Sequence, residues 1–325
     1  MKIVAVSEFG DPLRVARCVE VSEPGEPGSD EVLVQTLAFP IHPADLMLIR
    51  GSYLRLPPLP FVPGIEAACR ILQVGSAVRD LKPGDHVLSL QRQTWTERRL
   101  LKSDEVVSLG NDIDPLQLAM LYLNPLTAWS MLSRPEIAEA RGEGEKWIVQ
   151  NASNSSVGLW INRLAPHFQV KVANVVRRAD ALSAGDNVIV DGPSLAQRLK
   201  SISGGGRVVA ALDAVSGSAT GRLAECVMPG GTVFIYGNLA NEPVIVPNEE
   251  YLFRGIHVTG FSVTRTTTGM SKENLVKPLE LFGREVVQGF RQEIEATYRL
   301  ADIASAVEHA TRERRKGKIL VTVGQ

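Results

Sequence analysis

The feature that most constrains this chain is a strand, turn and helix signal across residues 146–158, Lys-Trp-Ile-Val-Gln-Asn-Ala-Ser-Asn-Ser-Ser-Val-Gly. The apolar run Trp147, Ile148 and Val149 leads into small polar residues, and a helical pattern starts at Val157 and continues through Leu164 toward His167. That succession opens a nucleotide-binding βαβ unit. Helix-start amides lack intrahelical partners, the helix dipole favours an anion there, and small side chains let a pyrophosphate reach the backbone. Asn154, Ser155, Ser156, Val157 and Gly158 are therefore candidate cofactor residues, with Ser153 adding a further hydroxyl. The usual Gly-x-Gly-x-x-Gly is absent and only Gly158 stands at its last position, so this segment alone reads equally well as a polar strand-to-helix loop.

The next strand favours the nucleotide reading. It spans 170–176 and ends in Arg177 and Arg178, where an NAD-specific protein places an acidic residue for the ribose hydroxyl. Fork-shaped guanidinium donors pair with phosphate oxygens, so NADPH is the expected cofactor. The alternative is a solvated charge pair at a strand end.

The chain around this stretch is long enough for two domains at 325 residues. Its 35 basic and 36 acidic residues leave no charge imbalance to draw it toward nucleic acid or a membrane surface, and no apolar run approaches the roughly 20 residues that span a bilayer. The expected partner is a small-molecule substrate. Cys18, Cys69 and Cys226 are far apart and odd in number, which fits neither a disulfide framework nor a Cys-x-x-Cys zinc site. A strand-like start at Lys2, with no targeting segment, makes a cytoplasmic location the expectation.

Residues 1–120 carry short β-like runs at 1–7, 15–21, 31–38, 67–74, 86–90 and 96–101, separated by Pro-Gly turns, which predicts a barrel-like β domain. Between them runs a proline-heavy excursion, 40–64, with His42, Asp45, Arg50, Tyr53 and Arg55, restrained enough to line a site. Helical patterns appear at 116–123 and 126–132. After Gly142, strands at 147–150, 170–176, 187–190, 208–212, 232–236 and 257–260 alternate with helices that include 195–202 and 221–228, predicting a mainly parallel, doubly wound α/β sheet. A long helix at 272–289 is expected to close that domain, and a helix at 301–312 with a strand at 318–323 to return to the β domain.

The landmarks Leu81-Lys82-Pro83-Gly84-Asp85-His86-Val87, Asn124-Pro125-Leu126-Thr127-Ala128, the turn at 150–158, Leu212-Asp213-Ala214-Val215-Ser216-Gly217, Pro229-Gly230-Gly231 and Gly317-Lys318-Ile319-Leu320 resemble, in this order, those of the medium-chain dehydrogenase/reductase superfamily. The resemblance covers essentially the whole chain. It implies a GroES-like β-rich catalytic domain at 1–120 and 296–325 and a Rossmann NADPH-binding domain at 121–295. The zinc-dependent alcohol dehydrogenase branch has a cysteine where this chain has His42, in Ile41-His42-Pro43-Ala44-Asp45, and a histidine where it has Ile65, in Gly64-Ile65-Glu66. With those ligands and the four-cysteine lobe missing, the expectation is no metal.

Among zinc-free branches the chain resembles the 2-enoyl thioester reductases, the group that includes the mitochondrial trans-2-enoyl-CoA reductases. The turn at 150–158, Asn174-Val175-Val176-Arg177, Asn124-Pro125-Leu126-Thr127-Ala128 and Tyr236-Gly237-Asn238-Leu239 carry that likeness. It implies NADPH-dependent reduction of an enoyl C=C bond by hydride transfer, and it puts the family's tyrosine on Tyr53. At the nicotinamide end the family positions fall on Asn124 and Thr127, with Phe261, Ser262 and Val263 bordering it; Tyr236, Gly237, Asn238 and Leu239 are cofactor candidates outside the carboxyl end of their strand, and a cofactor lysine falls on Lys318. Ser262 departs from the family's frequent tryptophan, which keeps the sister reading, a quinone or enone oxidoreductase, open; quinone reductases also carry a tyrosine at Tyr53. A catalytically silent NADPH-binding sensor is the third reading.

Each residue has a plainer reading beside this one. Tyr53 could pack with its hydroxyl at the surface. Asn124 and Thr127 could cap a helix. Lys318 could be one solvated cation of the basic stretch 312–318. His42 is either a proton relay or a hydrogen-bonded structural histidine, and Asp45 reads as a turn or helix-start residue. A homodimer through the strand edge at 257–260 is expected from the resemblance.

Overall fold

Alternation builds the front of the chain. In the strand Glu31–Pro40, Val32, Val34, Thr36 and Ala38 are buried while the residues between them are half-exposed, the period-two pattern of a sheet with one covered face. The computed structural model describes residues 1–53, 55–178, 187–312 and 315–324. Glu31–Pro40 is the hub of a seven-stranded sheet ordered Ile294–Arg299, Lys318–Thr322, Glu31–Pro40, Ala67–Val74, His86–Ser89, Val106–Ser108, with Arg98–Lys102 also paired to the hub. The C-terminal strand runs antiparallel to the hub, Leu320 facing Pro40 and Thr322 facing Ala38, which brings Lys318 near the chain's Ile41 and His42. Phe39 stacks on Trp95 with ring centroids 5.5 Å apart inside a core shared with Val4, Ile71 and Ile319.

The second unit is a six-stranded, fully parallel sheet ordered Val188–Val190, Lys171–Val176, Lys146–Gln150, Arg207–Asp213, Thr232–Ile235, His257–Gly260. Numbered along the chain this is 3-2-1-4-5-6, the doubly wound order, with its switch point between Lys146–Gln150 and Arg207–Asp213. Strands buried on both faces read as continuous apolar runs, as Trp147 to Val149 and Val208 to Leu212 do. Val149, Val175, Ala211, Leu223 and Val233 form the core. The fold is therefore α/β, a β-rich part with a doubly wound part of Rossmann strand order.

Three details differ from the sequence reading. The helix expected to run toward His167 ends at Leu164 and tightens into a 3₁₀ turn, Ala165–Phe168, because Pro166 has no amide to continue the ladder. The short strand Val106–Ser108 carried too few residues to show a period. The chain divides into Met1–Leu123 with Met270–Gln325 and Asn124–Gly269, so the helix Lys272–Val287 sits in the β-rich unit, not at the close of the nucleotide-binding one where 121–295 had put it. Its contacts explain this. Lys272 Nζ donates to the Ser103 carbonyl at 2.9 Å, and Gly283 approaches Ile113 so closely that a Cβ would lie 3.2 Å from Ile113 Cδ1.

Candidate active site

In the Asn124–Gly269 unit the turn after Lys146–Gln150 is braced from below by side chains. Gln150 Nε2 donates to the Gly158 carbonyl at 3.1 Å and to Asn174 Oδ1 at 2.8 Å. Asn151 donates to Asp213 Oδ1 at 2.6 Å and accepts the Ala214 amide at 2.7 Å, tying the ends of the two switch-point strands together. Asp213 is fully buried and also accepts the amides of Val215 and Ser216 and the Thr220 hydroxyl, so its charge is hydrogen-bonded from several sides. Ser153 Oγ donates to the Val175 carbonyl at 3.1 Å. These bonds hold the backbone from beneath and leave Asn154, exposed, and Ser155, Ser156 and Val157, half-buried, at the top.

Ser155 caps the helix Ser156–Leu164 by accepting the Gly158 amide at 3.2 Å. Gly158 is required by space: a Cβ would stand 2.6 Å from the Ser153 carbonyl oxygen. Asn124 donates to Ser156 Oγ at 3.0 Å, so its side chain ties the helix Leu123–Leu132 to the phosphate turn; Thr127 is buried on the same helix. Among the described residues the buried Tyr236 hydroxyl has no hydrogen-bond partner within bonding geometry, and burial pushes it far above the ordinary phenol range, with the nearby Ser155 hydroxyl pulling the other way. Gly237, Asn238 and Leu239 continue past the strand Thr232–Ile235, with Leu239 exposed. An orphaned phenol beside a capped helix start is what a dinucleotide phosphate would satisfy, so these residues fit one.

Arg177 and Arg178 are exposed immediately after Lys171–Val176. Phe261 donates its amide to the Ile235 carbonyl at 2.7 Å, and Ser262 caps the helix Val263–Thr267 by accepting the Arg265 amide. Ser262 thus has a local structural use as a helix cap.

In the β-rich unit the helix Pro43–Arg50 ends at Gly51, and Tyr53 comes two residues later, half-buried, with no hydrogen bond among the described residues. Asp45, fully buried, reaches back from the third helical position to accept the His42 amide at 2.9 Å. Its other oxygen has no partner among the described residues, and burial, opposed by His42, lifts its carboxyl from 3.8 to about 6. His42 Nε2 lies 2.6 Å from Glu66 Oε1, and Glu66 Oε2 accepts the amides of Tyr122 and Leu123 at 2.8 Å each. Lys318 Nζ lies 3.5 Å from His42 Nδ1, and burial draws that amine down from 10.5 to about 8 against the pull of Glu66. Lys318 is therefore not one of a row of solvated cations. Sequence reasoning singled out His42 and Lys318 separately and missed Glu66 as their partner, although it ends the Gly64-Ile65-Glu66 triplet.

Zinc does not fit here. Both ring nitrogens of His42 are engaged, one by a carboxylate and the other facing an ammonium, and a cation at Nδ1 would meet that ammonium.

Residues 28–107 match the family model described as the alcohol dehydrogenase GroES-like domain, and 156–277 the one described as zinc-binding dehydrogenase. The enoyl-[acyl-carrier-protein] reductase, mitochondrial, of Caenorhabditis elegans is 35% identical over 79% of this chain and 76% of its own length. The protein of the same name from Xenopus tropicalis is 32% identical over the same shares. Among solved structures, a Bacillus thuringiensis protein assigned as an NADPH:quinone reductase superposes with a TM-score of 0.88 at 27% identity, over 99% of both chains. The expected cytoplasmic location is corrected by these comparisons, because the relatives carry the name mitochondrial.

Proposed function

This chain belongs to the medium-chain dehydrogenase/reductase family, and from that premise we propose that it reduces the C=C bond of 2-enoyl thioesters with NADPH. The observation that carries the cofactor half is the braced turn at Ser153 to Gly158 with the orphaned Tyr236 hydroxyl. The substrate half rests on the enoyl reductase relatives.

In this reading residues 124–269 hold the cofactor and the β-rich unit supplies the catalytic side chains. The first-turn amides of Ser156–Leu164 and the Tyr236 hydroxyl take the pyrophosphate, and Arg177 and Arg178 take the ribose phosphate. Asn124, Thr127, Phe261, Ser262 and Val263 form the nicotinamide end. NADPH supplies a hydride when bound. Once the β carbon has been reduced, negative charge gathers on the substrate's carbonyl oxygen and the α carbon needs a proton, so an O–H donor aimed at that oxygen lowers the barrier. Tyr53 takes that role, its phenol being uncommitted among the described residues.

A second reading, reduction of quinones or enones, is favoured by the helix-capping Ser262 in place of tryptophan and by the likeness to the Bacillus protein. Measuring NADPH oxidation with crotonyl-CoA and with a simple benzoquinone, then repeating both with NADH, decides between them. Faster thioester turnover supports the first reading, faster quinone turnover replaces it with the second, and equal use of NADH removes the phosphate role of Arg177 and Arg178.

We also propose that the chain forms a homodimer through the outer strand His257–Gly260. Among the described residues that strand ends the six-stranded sheet with an unpaired edge, and Leu252 and Phe253 just before it are 73% and 82% exposed. Light scattering behind size exclusion should give a dimer for the wild type and a monomer for Phe253→Glu; a wild-type monomer would end this reading.

A further inference from the structure

Three loops leave the carboxyl ends of three neighbouring strands in the Asn124–Gly269 unit, Lys146–Gln150, Arg207–Asp213 and Thr232–Ile235. The first carries the phosphate turn and the third carries Tyr236 to Leu239. The middle one, 213–217, is assigned nothing by the cofactor reading, yet both of the others are anchored on it. It turns back on the Asp213 carboxylate, whose Oδ1 accepts the amides of Val215 at 2.8 Å and Ser216 at 3.0 Å and whose Oδ2 accepts the Thr220 hydroxyl at 2.5 Å. Ser216 and Gly217 then adopt φ values of 67° and 63°. A serine held in that left-handed region costs energy and persists where surrounding bonds fix it.

From this turn contacts run both ways. Toward the phosphate turn, Asn151 gives its Nδ2 to Asp213 and takes the Ala214 amide. Toward the other loop, Ser216 Oγ donates to the Gly237 carbonyl at 2.9 Å, the Leu239 amide to the Ala214 carbonyl at 3.1 Å and the Ala240 amide to the Val215 carbonyl at 2.9 Å. Gly237 lies so near that a Cβ would stand 2.7 Å from the Ala214 carbonyl oxygen. Asn151, Asp213, Ser216 and Thr220 are all buried, so little water competes for these bonds. The circuit closes on the far side, where the Tyr236 hydroxyl lies beside that of Ser155.

We propose that Asp213, acting through Asn151 and Ser216, is a positioning residue that sets the spacing between the phosphate turn and the Tyr236 loop so that both can hold one pyrophosphate. This rests on the NADPH-dependent reading of the site. Holding the two loops in place before the ligand arrives removes the cost of ordering them on binding. The donors around Asp213 also satisfy a carboxylate that would otherwise oppose a nearby anion.

The test is NADPH affinity and stoichiometry by fluorescence titration without substrate, for wild type, Ser216→Ala, Asp213→Ala, Asp213→Asn, Tyr236→Phe and the double variant Ser216→Ala, Tyr236→Phe. Ser216→Ala should weaken binding by about fivefold, as loss of one buried hydrogen bond does, with stoichiometry and urea slope as in the wild type. Asp213→Ala should weaken it by at least about tenfold. Asp213→Asn keeps an oxygen for the two amides and turns its Nδ2 to the Thr220 hydroxyl oxygen, so it should stay within about threefold. Added to Tyr236→Phe, Ser216→Ala should change affinity by less than about twofold, because its effect passes through that loop. With an acceptor present, crotonyl-CoA or benzoquinone, Ser216→Ala should raise the KM for NADPH more than it lowers kcat. A folded Ser216→Ala with wild-type affinity, full additivity with Tyr236→Phe, or a fall in stoichiometry at unchanged affinity overturns the proposal and leaves the cofactor reading standing. Should Asp213→Ala not fold, the Ser216→Ala arms decide by the same criteria. A wild type that binds no NADPH overturns both.

Discussion

Replacing Asp45 with asparagine should change how stability depends on pH by an amount set by its burial. The carboxyl lies fully buried with one oxygen on the His42 amide and the other without a partner among the described residues, and burial lifts it to about 6 in the folded chain against an ordinary 3.8. Because the folded value is raised, the native state keeps the proton longer than the unfolded chain does, so rising pH favours unfolding until the native carboxyl has ionised. Asp45 therefore contributes stability at low pH that is lost as pH climbs through that window. From about pH 5 to about pH 7.5 the loss comes to about 1.4 kcal/mol for a group moving between these two values. Asparagine has no proton to lose and can still accept the His42 amide through Oδ1. Whatever fixed cost its Nδ2 carries, the stability difference between variant and wild type should move in the variant's favour by that amount. Urea denaturation of both proteins at the two pH values, at matched concentration and with equal slopes, reads it directly. A difference that stays constant within about 0.4 kcal/mol, or moves the other way, would refute the claim that Asp45 is a strained buried charge.

The same geometry sets three further outcomes. Gly158→Ala should weaken NADPH binding by at least about tenfold in a fluorescence titration, because its Cβ would stand 2.6 Å from the Ser153 carbonyl and force the turn open; unchanged affinity would mean that the turn does not carry the pyrophosphate. The double variant Arg177→Ala, Arg178→Ala should raise the KM for NADPH by about tenfold while leaving that for NADH unchanged, and parallel changes in both would remove the ribose-phosphate contact. Tyr53→Phe should lower turnover of crotonyl-CoA by about 10²-fold with NADPH affinity intact; turnover equal to wild type would take Tyr53 out of the chemistry.

The parts of this protein that depend on neighbours in sequence could be read from it. A short β-like run after the Pro-Gly turns made the hub strand legible, short apolar runs made the parallel strands legible, and the small-residue turn before Gly158 announced a phosphate loop, because each is a property of consecutive residues. The landmarks of the family likewise lay in short local strings. The helix Lys272–Val287 showed its period but not its allegiance, since a helical stripe says that one face is covered and not by what.

The polar interior was hidden for the same reason. His42 and Lys318 are 276 residues apart, and their approach depends on the C-terminal strand joining the hub strand in one register, Leu320 opposite Pro40. The sequence by itself determined which residues could carry charge, bend the chain or start a helix, because those are properties of side chains and near neighbours. Only the tertiary structure decided that Glu66 and His42 pair away from water with Lys318 beside them, because burial and distance arise when strands far apart in the chain pair, and burial is what sets how strongly such charges act on one another.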